Sequence, residues 1–104
     1  MTITKNGVES SRLRELVYAA LPMQGSVEIQ KDAVWKEHTW HQHPTDETIV
    51  VLDGDLNFYA EGVEATCHPG DIISLPAGTR HGSRAGAAGA IYMIAFRTVE
   101  FTNG

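Results

Sequence analysis

The stretch Trp40–Gly54, WHQHPTDETIVVLDG, carries the densest chemistry of the 104-residue chain. His41 and His43 stand two apart, Glu47 follows, and Gly54 lies beyond a β-branched run. On a strand, side chains two apart share a face at about 6.6 Å, so both imidazoles can converge on one ion. His43-Pro44 ends that strand, Thr45-Asp46 makes the turn, and Glu47 opens the next strand with its carboxylate beside the two rings. A second block, GDIISLPAGTRH, gives a strand at Asp71–Leu75, a rigid turn at Pro76-Ala77-Gly78, and then His81. Three neutral nitrogens and one carboxylate oxygen suit a divalent transition metal, and an octahedral ion would keep positions open for a ligand.

The same grain continues outward. From Gly25 to the C-terminus, short β-branched segments alternate with Gly, Asp, Asn and Pro. This predicts strands at Ser26–Val34, His38–His43, Glu47–Leu52, Leu56–Ala60, Val63–His68, Asp71–Leu75, Arg80–Arg84 and Ala90–Thr98. Turns are expected at Asp53-Gly54-Asp55 and the other Gly/Pro sites, and a mobile loop at the Ala/Gly tract Ala85–Ala90. Many short strands at this spacing indicate an all-β sandwich or barrel. The run Ala90–Phe96 is apolar on both faces, which predicts burial on both sides or a subunit contact. Ahead of the strands, the first eight residues read as an extended arm. Leu13, Leu16, Val17, Ala20 and Leu21 then form the stripe of a one-sided helix over Ser10–Leu21, with Ser10 or Ser11 as its cap and Pro22 as its stop. The expected organisation is an arm and helix in residues 1–25 packed on a barrel of residues 26–104.

Composition narrows the function. A chain of this length builds one domain. Eight Lys+Arg against 13 Asp+Glu leave a net charge of −5 with no basic cluster, which argues against nucleic acid and against an anionic membrane surface. No apolar run approaches the roughly 20 residues of a membrane span. The N-terminus lacks a basic-then-apolar signal segment, and the single Cys67 can form no internal disulfide, so a cytoplasmic protein is expected.

Both blocks resemble the two motifs of the cupin superfamily, Gly-x5-His-x-His-x3,4-Glu-x6-Gly and Gly-x5-Pro-x-Gly-x2-His-x3-Asn. The matching residues lie within Trp35–Ala85, about half of the chain. The resemblance implies a small double-stranded β-helix, or jelly-roll barrel. It also implies metal ligation by His41, His43, Glu47 and His81, with one iron, manganese, nickel, cobalt or zinc ion per chain. Gly54, Gly70, Pro76 and Gly78 fall on the turn positions. The sequence departs from the pattern twice: Trp35 stands where the first motif begins with Gly, and Ala85 where the second ends with Asn.

Strand parity extends the site. Ile49 and Val51 share the side of Glu47, Thr79 and Ser83 share that of His81, and Thr39 shares that of His41. The resemblance to cupins makes Trp40 and Trp35 candidates for the barrel mouth, and Tyr92 either donates its hydroxyl into the cavity or points outward. By the same parity His38 faces away and His68 lies on the surface. Cys67 is a small buried apolar group. Arg80 and Arg97 are anion clamps or solvated surface charges. An apolar lining favours a small organic ligand over a polyanion. The resemblance implies enzymes among the small cupins (dioxygenases on diketones or flavonols, sugar isomerases, lyases, decarboxylases), with Glu47 a candidate general base. A dioxygenase-like reaction on a small enol or diketone is the leading expectation; a non-catalytic ligand- or metal-sensing module is the alternative. Small cupins usually pair, so a homodimer is expected through Ala90–Phe96 or the Leu13–Leu21 stripe.

Overall fold

The computed structural model describes residues 1–6 and 10–101. Two long strands, β4 (Glu47–Ala60) and β7 (His81–Ala95), run antiparallel from Thr48 opposite Ala95 to Ala60 opposite His81. Their outer edges are shared between shorter strands. The first half of β4 pairs with β6 (Ile72–Leu75), its second half with β5 (Val63–Cys67). The end of β7 pairs with β2 (Glu28–Asp32), and its beginning with β3 (Glu37–His41). The arm adds β1 (Thr2–Thr4) to the free edge of β6, while residues 7 and 8 of that arm lie outside the described residues. Each long strand therefore serves both ends of the barrel, the arrangement of an all-β jelly roll.

Alternation along these strands sorts side chains into two cores. Ile49, Val51, Leu56, Phe58, Cys67, Ile73, Leu75 and Tyr92 fill the barrel. Val50, Ile72, Met93 and Ala95 point out of it and are covered by Leu16 and Ala20 of helix α1 (Ser10–Ala20). Burial of each Val, Leu, Ile, Phe or Met among them contributes roughly 1.5–3 kcal/mol. The double apolar character of Ala90–Phe96 thus has an internal cause: Tyr92 faces the barrel and Met93 faces the helix. The two surfaces expected to meet a second copy are largely consumed within the chain, although Leu21 and Phe96 remain exposed. The serine cap expected for α1 rests on side chains outside the described residues. At its other end, Arg97 donates to the carbonyls of Ala19, Ala20 and Leu21, so its charge sits on the negative end of the helix and not in an anion clamp. Among the described residues no helix is long and apolar enough to cross a membrane.

Two predicted breaks are corrected. The Asp53-Gly54-Asp55 punctuation predicts a turn, and Ala85–Ala90 a mobile loop; instead β4 and β7 run through both. The register shifts there, with Gly54 opposite Ala90 but Leu56 opposite Ala85, so residues 86–89 of β7 bulge against Asp55 alone. Such a bulge needs small residues on both strands. Gly54 has φ +74, and a Cβ there would lie 2.1 Å from the carbonyl oxygen of Gly89. Glycine at position 54 serves close backbone approach. At Trp35 the converse holds. Among the described residues it is the non-glycine residue with positive φ, at 61°, which gives a physical reason for the glycine of the resembled motif at this position. Its exposed ring lies under the Arg84 guanidinium at 5.4 Å.

Asp71, buried at the start of the second block, accepts from the backbone N–H groups of Asn6 and His68 and pairs with Lys5, which fastens the arm to the barrel. Burial pushes its carboxyl up, and these donors more than offset it, so its pKa lies below the ordinary value.

Gly54→Ala is expected to lose roughly 3 kcal/mol of stability, the left-handed backbone penalty plus overpacking. Gly62→Ala, at φ +76 with open space around it, should lose only about 1 kcal/mol. Urea unfolding of both variants checks this, and equal losses would remove the Gly89 contact as the constraint.

Candidate metal centre

The end of β3 meets the start of β7 at the mouth of the barrel, with His41 opposite His81 in the ladder. Their ring centroids are 4.3 Å apart, and that of His43, just past β3, lies 4.9 Å from His41 and 5.5 Å from His81. One ligand atom from each of the three rings lies within 4.8 Å of the others. Turn chemistry holds this meeting together. Pro76–Thr79 closes with Thr79 N–H on the Pro76 carbonyl at 3.1 Å, and Gly78 sits at φ +80, as a type II turn requires. Gly78 N–H donates to the His43 carbonyl at 2.8 Å, and Ala77 N–H to Asp46 Oδ1 at 2.8 Å. The turn preceding His81 is thereby stapled to the turn following His43.

The donor chemistry fits a divalent transition metal. His41 Nδ1 donates to the Thr39 carbonyl, and His81 Nδ1 to the Thr79 carbonyl. Each bond fixes the neutral tautomer and leaves Nε2 as a free lone pair. Phe58 stacks on the His81 ring at 5.4 Å and 14°, which fixes its plane. Burial lowers the His81 pKa, with His41 and His43 adding to the effect against the Thr79 hydrogen bond. Glu47, 5% exposed at the head of β4, brings Oε1 to 3.7 Å from His43 Nε2, outside the tightest group of three. Burial raises its carboxyl above the ordinary value against the pull of His43 and His41. A divalent cation among these groups would favour the carboxylate and the neutral imidazoles together.

The cluster opens onto a cavity of about 170 Å³. Of the candidate lining residues, Ile49 and Ser83, chosen by parity, line it, and so does Tyr92, whose phase the sequence leaves open. Thr39, Trp40, Val51 and Thr79 do not, and each has a reason. Val51 lies deeper, fully buried in the barrel core. Thr39 and Thr79 contribute backbone carbonyls to the histidines. Trp40 is exposed and packs edge-on against Tyr59 outside the barrel, at 5.0 Å. Cys67 is buried, and desolvation raises its thiol to about 11, as a core group requires. His68 is exposed, with Nδ1 3.3 Å from Asp55 Oδ1.

His38 is the substantial correction. Parity predicts that it faces away, yet it lines the cavity. The β3–β7 register shifts between His38 and His41, and this irregularity puts residues of opposite parity on one side. Sequence reasoning also passes over Glu28, Gln30, Phe58 and Ile94 in the lining, and Asp32 behind it. Phe58 shares the strand phase of Leu56, an alternation that would have marked it. Ile94 lies on a strand apolar on both faces, whose phase the sequence leaves open, and nothing marks the residues of the Glu28–Asp32 segment.

Residues 26–95 match the family model described as Cupin domain. The chain belongs to the cupin family. Among solved structures, a cupin-2 domain containing protein from Shewanella frigidimarina is similar at 29% identity and TM-score 0.57, over 68% of this chain and 69% of that one. A DMSP lyase from Ruegeria pomeroyi is similar at 25% identity and TM-score 0.65, over 69% of this chain but only 37% of the lyase. The oxalate decarboxylase of Bacillus subtilis, described with Mn(II) centres, is similar at 18% identity and TM-score 0.65, over 73% of this chain and 22% of the enzyme; at that identity it shows the fold alone. No curated protein matches the sequence.

Replacing His41, His43 or His81 by Ala is expected to weaken zinc or manganese binding by more than about 100-fold, the upper end for changes to supporting groups of a metal site. His68→Ala should leave it unchanged. Elemental analysis and metal titration of the four variants check this.

Proposed function

We propose that this cupin is a metal-dependent enzyme. It holds one divalent transition metal on His41, His43, His81 and Glu47 and acts on a small chelating enol or β-diketone in a dioxygenase-like reaction. The observation that carries this reading is the convergence of three imidazoles, two of them oriented by backbone carbonyls, and a buried carboxylate on a small cavity. When bound, such an ion supplies Lewis acidity to a chelating oxygen pair and an open position for dioxygen.

Size and charge favour this substrate class. An apolar cavity of about 150 Å³ accommodates benzene, so about 170 Å³ suits a ligand of roughly six to eight non-hydrogen atoms. Flavonol-sized molecules exceed it. Ile49, Phe58 and Ile94 supply apolar walls. Among the described residues the lining contains Glu28 and Glu47 but neither Lys nor Arg, so a phosphate or polycarboxylate would find no Lys or Arg there. A divalent ion on neutral imidazoles and one carboxylate retains a single positive charge, which one enolate balances. His41 and His81, held by the Thr39 and Thr79 carbonyls, present Nε2 toward the site, and Phe58 with Ile49 gives it an apolar side.

Acetylacetone is of the right size for the test. Metal-loaded protein is expected to bind it, to consume it with uptake of dioxygen, and to lose both properties after chelator treatment. Binding without consumption would favour the ligand-sensing alternative, and binding indifferent to metal would contradict the reading.

A further inference from the structure

Behind one wall of the cavity lies a network that metal binding leaves unexplained. Asp32, at the end of β2, has its side chain 1% exposed. Its Oδ1 receives Gln30 Nε2 at 2.8 Å and lies 3.0 Å from His38 Nε2, while its Oδ2 receives the Tyr92 hydroxyl at 2.7 Å. Burial pushes the Asp32 carboxyl up, and the three donors outweigh it, so it stays ionised. An ionised carboxylate accepts only; hence Nε2 of His38 carries the proton and donates it. The neutral ring then keeps Nδ1 as its basic nitrogen, on a residue that lines the cavity with a one-third exposed side chain. The register shift that turns His38 inward is a costly local feature, of a kind over-represented beside active sites.

We infer that Asp32 and His38 form a proton-transfer pair of this cavity, with His38 taking a proton from the carbon of an enolisable substrate and Asp32 positioning it. The inference rests on the metal-dependent reading above and assigns the base to His38, leaving Glu47 to the metal. In the step, the C–H bond beside the carbonyl breaks and its electron pair passes into the C=O to give an enolate. The proton goes to Nδ1, and return of a proton from the solvent-exchanged ring to carbon completes the cycle with no oxidant or reductant. Tyr92 and Gln30 keep Asp32 aimed at Nε2, so Asp32 is a positioning residue.

Two measurements test this on the zinc-loaded protein. In the first, ¹⁵N NMR of the His38 ring should show Nε2 protonated and Nδ1 bare at mildly alkaline pH, a preference that Asp32→Asn removes. A proton on Nδ1 in the wild type overturns the inference without reference to turnover. In the second, deuterium exchange at the central carbon of acetylacetone in D2O, with dioxygen excluded, should run above the buffer rate. His38→Gln should slow it on the order of 100-fold, and Asp32→Asn at least about 10-fold, with zinc per chain unchanged in both. Zinc retained with equal exchange in wild type and His38→Gln, or with no exchange above buffer, overturns this inference alone. A wild type that binds no zinc overturns the metal reading and this one with it.

Discussion

His41 and His81 each spend Nδ1–H on the carbonyl of the residue two places earlier in the chain. The site depends on that constraint. A neutral imidazole has one donor and one acceptor, and fixing the donor on a backbone carbonyl decides that Nε2 is the lone pair. The carbonyls belong to Thr39 and Thr79, so the side chains that look like candidate lining are spectators while their backbones do the orienting. The staple from Gly78 N–H to the His43 carbonyl extends the same principle, since it ties the turn that leads from His43 to Glu47 to the turn that delivers His81.

Much of the architecture is legible from pattern. The one-sided stripe from Leu13 to Leu21 marks α1, and the β-branched segments mark the strands. The spacing of His41, His43 and His81 around a Pro-x-Gly turn marks the cluster because parity and turn geometry are local properties. Continuity is less legible. Gly54 and the Ala85–Ala90 tract read as chain reversals, because glycine at positive φ serves a turn and a backbone contact equally well. Which use applies depends on a strand more than 30 residues away, and no local window contains it. His38 escapes for a related reason. Parity is reliable only while register is regular, and an irregularity against β7 leaves no mark on the His38–His41 tetrapeptide. Asp32 carries no local signal at all, since the Tyr92 hydroxyl that reaches its carboxylate lies 60 residues later in the chain.

The two halves of the cavity wall use charge differently. At the histidine cluster, donors are gathered so that a cation lowers the cost of burying Glu47. At Asp32, a buried carboxylate is already satisfied by Gln30, His38 and Tyr92. Removing one of those partners leaves a charge or a donor unpaired in a dry wall, a loss of roughly 1–3 kcal/mol. The second network is thus self-sufficient without a cation, and the first is one that a cation would complete. Such a division suits a site in which one group of residues holds a ligand's oxygens and another exchanges its proton.

X-ray absorption at the edge of the metal carried by protein purified without chelators tests the central claim most directly. The expected result is a nitrogen and oxygen shell, with outer-shell scattering from three imidazole rings that falls to two rings in His81→Ala reloaded with excess metal. A sulfur neighbour from Cys67, or a shell with no imidazole signature, would contradict it.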